Sequence, residues 1–395
     1  MSKLQTQVAI LGAGPAGLML SHLLHLYGIH SVVVEIRSRE YCESRIRAGV
    51  LEQGSVDLLR RAGVAHRLDH EAMFHLGIEI GFNRKRHRIA LSELTAGKCV
   101  TVYGQHEVVK DLITRRLSDG GDVRFDCFDV SIHHLDRAQP SVRFTHSSHD
   151  CELIADYIAG CDGFHGICRP SVPPGILQCY ERVYPFGWLG ILVDAAPSSD
   201  ELVYMHHDRG FALFSMRSQK VTRLYLQSAP DEDLALWPDE RIWDELFRRF
   251  ECADGWLPNR GAILQKNVTG MRSFVIEPMQ YGRLFLAGDA AHIVPPTGAK
   301  GMNLAMADVA VLADALRAYY GSSSREALEC YSSVCLRRIW KAQRFSWWMT
   351  SLLHRFSDQN DFDYRRQIAE LDYVTSSQAA ATSLAENYVG LPMEQ

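Results

Sequence analysis

The sequence predicts an α/β protein (α+β overall): a parallel-sheet unit, a mostly antiparallel sheet and a helical C-terminal region. Three observations predict it. A glycine-rich turn joins a short apolar strand to a helix within residues 7–27. The stretch from about 180 to 228 alternates in period two, with β-branched and aromatic enrichment. From about 303 onward the apolar residues recur with helical spacing.

Residues 7–11 form the first apolar run, followed by Gly12-Ala13-Gly14-Pro15-Ala16-Gly17 and a helical pattern over 15–27. Gly12 allows a tight turn, Gly14 lets backbone approach a pyrophosphate, and Gly17 lets helix and strand pack closely. The helix start then presents unpaired N–H groups to phosphate. A second strand over 32–35 ends in Glu35, about 20 residues on, where a carboxylate can accept from a ribose hydroxyl. This is a Rossmann-like dinucleotide-binding unit.

That unit alone does not separate a flavin from a nicotinamide nucleotide. Two later segments do. Residues 157–159 form an apolar strand before Asp162-Gly163. Residues 284–287 form another, ending in Gly288-Asp289 and followed by Pro295-Pro296-Thr297-Gly298-Ala299-Lys300-Gly301 and a helix from about Met302. An aspartate at a strand end can hold a ribityl or ribose hydroxyl, and a helix start favours a reduced flavin anion. Each Asp-Gly pair by itself reads as a turn; three such segments in this order point to FAD. Between them, residues 70–105 again read as strand-like.

Composition sets the remaining bounds. A chain of 395 residues allows two sizeable lobes. The net charge of −5 is spread along the chain without a basic run, so a nucleic-acid partner is not expected. The 10 cysteines are scattered singly, without metal-type pairs, and read as reduced thiols. No metal is expected. No apolar run reaches the roughly 18 residues of a membrane span, and no secretory signal is read at the N-terminus, so a cytoplasmic protein is expected.

The three FAD-type segments resemble the class A flavoprotein aromatic hydroxylases, and members acting on 4-hydroxybenzoate match over nearly the whole chain. Matching stretches include residues 45–54, 160–166, 184–190, 284–303 and 386–392. The resemblance implies 3-hydroxylation of 4-hydroxybenzoate to 3,4-dihydroxybenzoate, using O2 and NAD(P)H, through a flavin hydroperoxide and the substrate phenolate. It implies FAD contacts at Glu35, Arg45, Arg47, Val50 and Gln105, and at Asp162, Asp289, Gly298, Met302 and Asn303. It also implies a homodimer. The expected division is an FAD-binding domain from 1–70, 101–179 and 271–302, a substrate-binding sheet domain from 71–100 and 180–270, and a helical region, 303–395, carrying the dimer contact.

Read as a strand, 211–217 places Phe211, Leu213, Ser215 and Arg217 on one face. Arg223, Tyr225 and Gln227 share a face of the next strand, and Leu202 with Tyr204 of the preceding one. Arg217 can hold a carboxylate bidentately while Ser215 and Tyr225 donate to it. Periodicity alone favours a surface ladder with a cross-strand ion pair; the resemblance reverses that preference and implies the carboxylate site. It further implies that the Pro296 carbonyl faces the substrate hydroxyl, and that a proton path runs through Tyr204, Tyr388 and His75. Histidine suits the outer end because it titrates near neutrality.

No second strand-bounded glycine fingerprint is present, so the reductant is expected in a surface groove. The resemblance places NAD(P)H at His165 and Arg272, with Tyr41 retained. Family members that prefer NADPH carry arginine and glutamine after the acid; here Ile36 and Arg37 follow Glu35, leaving NADPH or NADH open. Two other readings stand beside this one: a hydroxylase of 4-aminobenzoate or a substituted hydroxybenzoate, and a flavin redox sensor without catalysis. Residues 345–349 read as an aromatic core cluster.

Overall fold

The computed structural model describes residues 2–45 and 49–392. The Ser2–Leu11 strand runs parallel to Ser31–Val34 and to His149–Gly160, with Ile10 opposite both Val33 and Ala159. Parallel neighbours need a crossover. The Pro15–Leu26 helix supplies it, burying Leu18, Met19 and Leu20 completely. Leu284–Leu286 joins the far side of His149–Gly160, also parallel. Four strands read separately from the sequence are thus consecutive in one sheet. Their C-terminal ends bring Gly12, the Asp162 turn and the Gly288-Asp289 turn to one edge, where open α/β sheets take their ligands.

Gly12 is required there. Its φ is +102°, and a Cβ would collide with the carbonyl of Cys161 on the adjacent strand.

The second sheet has eight strands, in the order His292–Ile293, Ala262–Glu277, Gln178–Asp194, Val221–Ser228, Ala212–Met216, Leu202–Met205, Ile78–Phe82 and Lys85–Ile89. All pairs are antiparallel except Leu202–Met205 with Ile78–Phe82. Each face has its own core because alternate side chains point opposite ways. Tyr204 and Leu213 pack toward Phe345, Met349 and Tyr388 of the C-terminal helices. Val203, Phe214 and Leu224 pack toward Trp243, Leu246 and Phe250 of the Asp239–Phe250 helix.

Three details differ from the sequence reading. The divisions expected at 180 and 271 fall inside Gln178–Asp194 and Ala262–Glu277, which pair along most of their length. Met73–His75 and Val100–Val102 join Val50–Leu51 in a separate three-stranded sheet, so residues 71–100 do not all enter the large one. Within the aromatic cluster Phe345 and Met349 are buried, but Trp347 is 44% exposed. Consecutive helix positions face different ways, so a run of aromatics cannot all reach one core.

Burial also sets an acid limit on stability. His75, His206 and His354 are all enclosed. Burial pushes His75 and His206 down to about 4, and His354 to about 3, from an ordinary 6.5. Below pH 6.5 the unfolded chain binds protons at these positions that the folded chain does not, so stability falls as pH falls from 6.5 toward 4. Each group costs about 1.4 kcal/mol per pH unit in that window. His292 has the opposite sign: burial opposes its charge, but Asp308 at 2.6 Å outweighs burial and raises it. Its contribution is full below the unfolded value and fades as pH rises. The expected net result is a urea midpoint that drops steeply between pH 6.5 and 5, with His354→Asn flattening the slope. An unchanged slope in that variant would remove His354 from the account.

Candidate active site

Cross-strand register assembles the polar residues of the large sheet. Tyr204 lies opposite Leu213, and Leu213 opposite Tyr225, so these three form one row on one face. Ser215 is two residues farther along, on the same face, opposite Arg223. Arg217 follows at the strand end. Its Nη1 donates to Ser215 Oγ at 2.8 Å and to the Met216 carbonyl at 2.9 Å; its Nη2 donates to Tyr225 Oη at 3.1 Å. Its Nε is buried without a partner. Among the described residues no carboxylate pairs with Arg217, which sets aside the cross-strand ion pair that periodicity alone favours. Burial and then nearby Arg223 lower its pKa, while Tyr225 works the other way. A cation left without an anion, beside two hydroxyls, can receive a carboxylate.

Trp188 walls this end, 4.8 Å from the Tyr225 ring and stacked at 5.2 Å on Phe211. Its indole donates to His354 Nε2 at 2.7 Å, while the other ring nitrogen of His354 meets the Thr350 carbonyl at 3.0 Å. That fixes a neutral imidazole as a brace for the wall.

The phenol end lies two residues back from Ser215, about 7 Å at β spacing, in the row of Leu213 and Tyr225. Tyr204 Oη and Tyr388 Oη are 2.5 Å apart and both rings are buried. Burial raises both phenols, so both are protonated at neutral pH. His75, expected at the outer end of the proton path, is enclosed and stands apart from the phenol pair's hydrogen bond. It is 1% exposed, neither ring nitrogen has a partner, and no hydrogen bond joins it to Tyr388 among the described residues. Burial brings it down to about 4, so it is neutral at pH 7 rather than titrating there. Pro296 is exposed, and its carbonyl already accepts from the Ala299 N–H at 3.0 Å, leaving one lone pair outward.

A buried charge network behind Tyr388 was not legible in the sequence. Glu52 accepts from Lys300 Nζ at 2.6 Å and from Arg338 Nη2 at 2.8 Å. Lys300 Nζ also reaches the carbonyls of Asn387 and Tyr388. Residues 52, 300, 338 and 388 come from four separate segments, and no spacing rule links them. The lysine between Ala299 and the following helix was the only signal available.

At the edge of the parallel sheet, the residues present fit an FAD. The Pro15–Leu26 helix begins at Gly14 without a side-chain cap, leaving its first N–H groups free for phosphate. The Gly301–Ser322 helix begins uncapped too, and a Cβ on Gly14 or Gly301 would meet open space. Glu35 ends the second strand with its carboxylate accepting from the N–H of Ala13 and Arg37 at 2.6 and 2.8 Å. Asp162 keeps one buried oxygen unpartnered; Oδ2 accepts from the Cys168 N–H. Asn303 is buried and holds the Glu52 N–H and the Val50 carbonyl at 2.9 and 3.0 Å. Gln105 opens its own helix behind Gly104, Asp289 sits in a 3₁₀ turn, Met302 is the second residue of the long helix, and Gly298 packs on Ser346. Arg47 lies outside the described residues.

The expected reductant residues form two groups. Arg37 stacks on Tyr41 at 5.2 Å on an exposed face, where Arg45, expected at FAD, also meets the ring at 5.7 Å. His165 and Arg272 flank Phe164, at 5.0 and 4.7 Å, with Arg272 also 3.1 Å from Glu181.

The chain matches the family model "FAD binding domain" over residues 5–346. It is 50% identical over 394 residues to the p-hydroxybenzoate hydroxylase of Acinetobacter baylyi, covering 100% of this chain and 97% of that one. A 3-(3-hydroxy-phenyl)propionate/3-hydroxycinnamic acid hydroxylase of Mycolicibacterium gilvum is 26% identical over 82% of this chain and 56% of that longer protein. Among solved structures, p-nitrophenol 4-monooxygenase from Pseudomonas putida superposes with a TM-score of 0.85 at 18% identity, covering 99% of this chain and 100% of that one. That last likeness concerns the fold.

Proposed function

The chain belongs to the FAD binding domain family of flavoprotein hydroxylases, and from that premise we propose that it hydroxylates 4-hydroxybenzoate at the 3-position, using FAD, NAD(P)H and O2. The observation that carries the substrate is the Arg217 guanidinium without a carboxylate partner among the described residues, on the sheet face that also presents the Tyr204–Tyr388 phenol pair. Ser215, which the guanidinium contacts, lies two residues along the strand from the Tyr204 row, a spacing of about 7 Å that suits a benzene ring with para carboxylate and hydroxyl groups.

Bound FAD, reduced by NAD(P)H, supplies the activation of O2. The protein's share is to bind and ionise. Arg217, Ser215 and Tyr225 hold the carboxylate, and Phe211, Leu213 and Trp188 exclude water from the ring. Tyr204 meets the phenolic oxygen and passes its proton to Tyr388. Electrophilic hydroxylation needs an electron-rich ring, so the phenolate is the reactive form. A free phenol titrates near ~10, so ionisation at pH 7 requires about 4 kcal/mol of differential stabilisation. One hydrogen bond to a charged group gives ~1.5–3 kcal/mol. The remainder comes from the positive field of Arg217, Arg223 and Lys300. His75, neutral and with both ring nitrogens unpartnered, is proposed as the next relay beyond Tyr388, with water carrying the proton across the gap between them.

Glu35, Arg45, Gln105, Asp289 and the two uncapped helix starts are the groups proposed to hold FAD. His165 with Arg272, and Arg37 with Tyr41, are proposed to meet the nicotinamide nucleotide. All 10 cysteines are free, which suits the reducing cytoplasm. Among the described residues no helix is long and apolar enough to cross a membrane. A homodimer through the C-terminal helices, which expose Trp340 and Trp347, extends the reading; a monomer mass in solution would reject it.

The test is turnover by the purified yellow protein with 4-hydroxybenzoate and 4-aminobenzoate, each with NADPH and NADH. Stoichiometric 3,4-dihydroxybenzoate is expected. Faster coupled turnover of the amine, or nucleotide oxidation that no aromatic acid stimulates, overturns the reading.

A further inference from the structure

We propose that Arg338 is a positioning residue for the Tyr388 phenol, acting through the end of the Gln378–Val389 helix; this rests on the reading of Tyr204 and Tyr388 as the phenol-handling pair. The last carbonyls of a helix lack intrahelical donors and carry the negative end of its dipole. Here the chain leaves the helix at Gly390 with φ +100°, and side-chain cations meet the carbonyls instead. Lys300 takes those of Asn387 and Tyr388. Arg338 Nη1 takes those of Leu391 and Pro392, at 2.8 and 3.1 Å, in the chain just beyond the helix, and so ties down the segment that leaves it.

Glu52 ties the two cations together, and the side chains of Glu52, Lys300 and Arg338 are only 6%, 4% and 13% exposed. A Cβ on Gly390 would collide with the Glu52 carboxylate, so the carboxylate is wedged against the turn itself. Arg338 comes from the middle of the Glu326–Leu353 helix, a rigid element that also carries Phe345 against Tyr388. The result is a clamp that fixes the helix end, and with it the Tyr388 ring, edge-on to Tyr204 at 87°.

The charge count gives Arg338 a second effect. Two cations and one carboxylate leave one positive charge in a buried cluster, with Lys300 Nζ 5.9 Å from the Tyr388 ring. Without Arg338, Lys300 and Glu52 form a neutral pair. The other titratable group facing Tyr204 is Tyr225, and at the helix end Arg344 Nη2 donates to Asn387 Oδ1 at 3.2 Å. Neither replaces the lost charge at Glu52.

The experiment compares unmodified holoenzyme with Arg338→Gln and Arg338→Lys. Hydrogen exchange over residues 384–392 reads the clamp without any substrate: the Gln variant should exchange faster there and nowhere else. The ultraviolet difference spectrum of bound 4-hydroxybenzoate against pH reads the charge. Its phenol should titrate about one unit higher in the Gln variant, with most of that shift restored by Lys. Coupled product per nucleotide oxidised should fall several-fold, while substrate-stimulated flavin reduction stays within about twofold. Unchanged exchange over 384–392 overturns the proposal whatever the unmodified protein turns over. So does an unshifted phenol in the Gln variant, or an equal loss of FAD retention and reduction, which marks a merely structural role. Failure of the unmodified protein to form product overturns the function instead and leaves the exchange result standing.

Discussion

Arg217→Met is expected to weaken 4-hydroxybenzoate binding by about 2–5 kcal/mol, roughly 30-fold to several thousand-fold in Kd. Three observations set that size. The guanidinium has no carboxylate partner among the described residues, so its charge is uncompensated until an anion binds. Ser215 and Tyr225 already face it at 2.8 and 3.1 Å, so little ordering is left for the ligand to supply. Methionine keeps the hydrophobic stem and removes only the fork, so the loss reads the carboxylate contact and not a cavity. Arg217→Lys keeps the charge without the fork and should fall between, and Ser215→Ala should cost about 1 kcal/mol. Removing an uncompensated buried cation should leave the fold intact or firmer, so the urea midpoint serves as control. The measurement is equilibrium titration of the FAD-loaded protein; a Kd within about twofold of unmodified in the Met variant removes the assignment.

Tyr204→Phe is expected to divide the reaction. Reduction of the flavin by NAD(P)H should persist, because Arg217 still holds the substrate. Hydroxylation should fall by about 10- to 100-fold, the worth of one hydrogen bond of ~1.5–3 kcal/mol to a forming phenolate. The sign follows from which form Tyr204 meets. It stabilises the ionised substrate, so its loss raises the bound phenol's pKa by about one to two units and lowers the phenolate present at pH 7. Oxygen chemistry that no longer finds an electron-rich ring should end as peroxide. Peroxide released per nucleotide oxidised, beside the bound phenol's absorbance as pH is raised, measures both halves. Full coupling in the Phe variant would show that Tyr388, 2.5 Å away, is not reached through Tyr204.

The two halves of the site were unequally legible in the sequence. The glycines at 12, 14 and 17 were readable because each answers a backbone demand that acts within a few residues, and Gly12 indeed takes φ +102°. The face shared by Leu213, Ser215 and Arg217 was readable because strand alternation is local and strict. Arg217's freedom from an ion pair was not, since periodicity cannot report which side chains arrive from other strands. His75 shows the same limit in its charge: the residue type pointed to neutrality, whereas enclosure brings it down to about 4.

By itself the sequence determined the parallel unit, the antiparallel sheet, the glycine fingerprint and the face shared by Leu213, Ser215 and Arg217. These follow from local geometry, in periods of 2 and ~3.6 residues and the φ that glycine allows. Only the tertiary structure decided where charge is buried: the Glu52–Lys300–Arg338 cluster, the neutral His75 and the brace of His354 on Trp188. The physical reason is that desolvation and Coulomb energy depend on distances between groups far apart in the chain. Those distances are fixed by packing and have no counterpart in residue spacing.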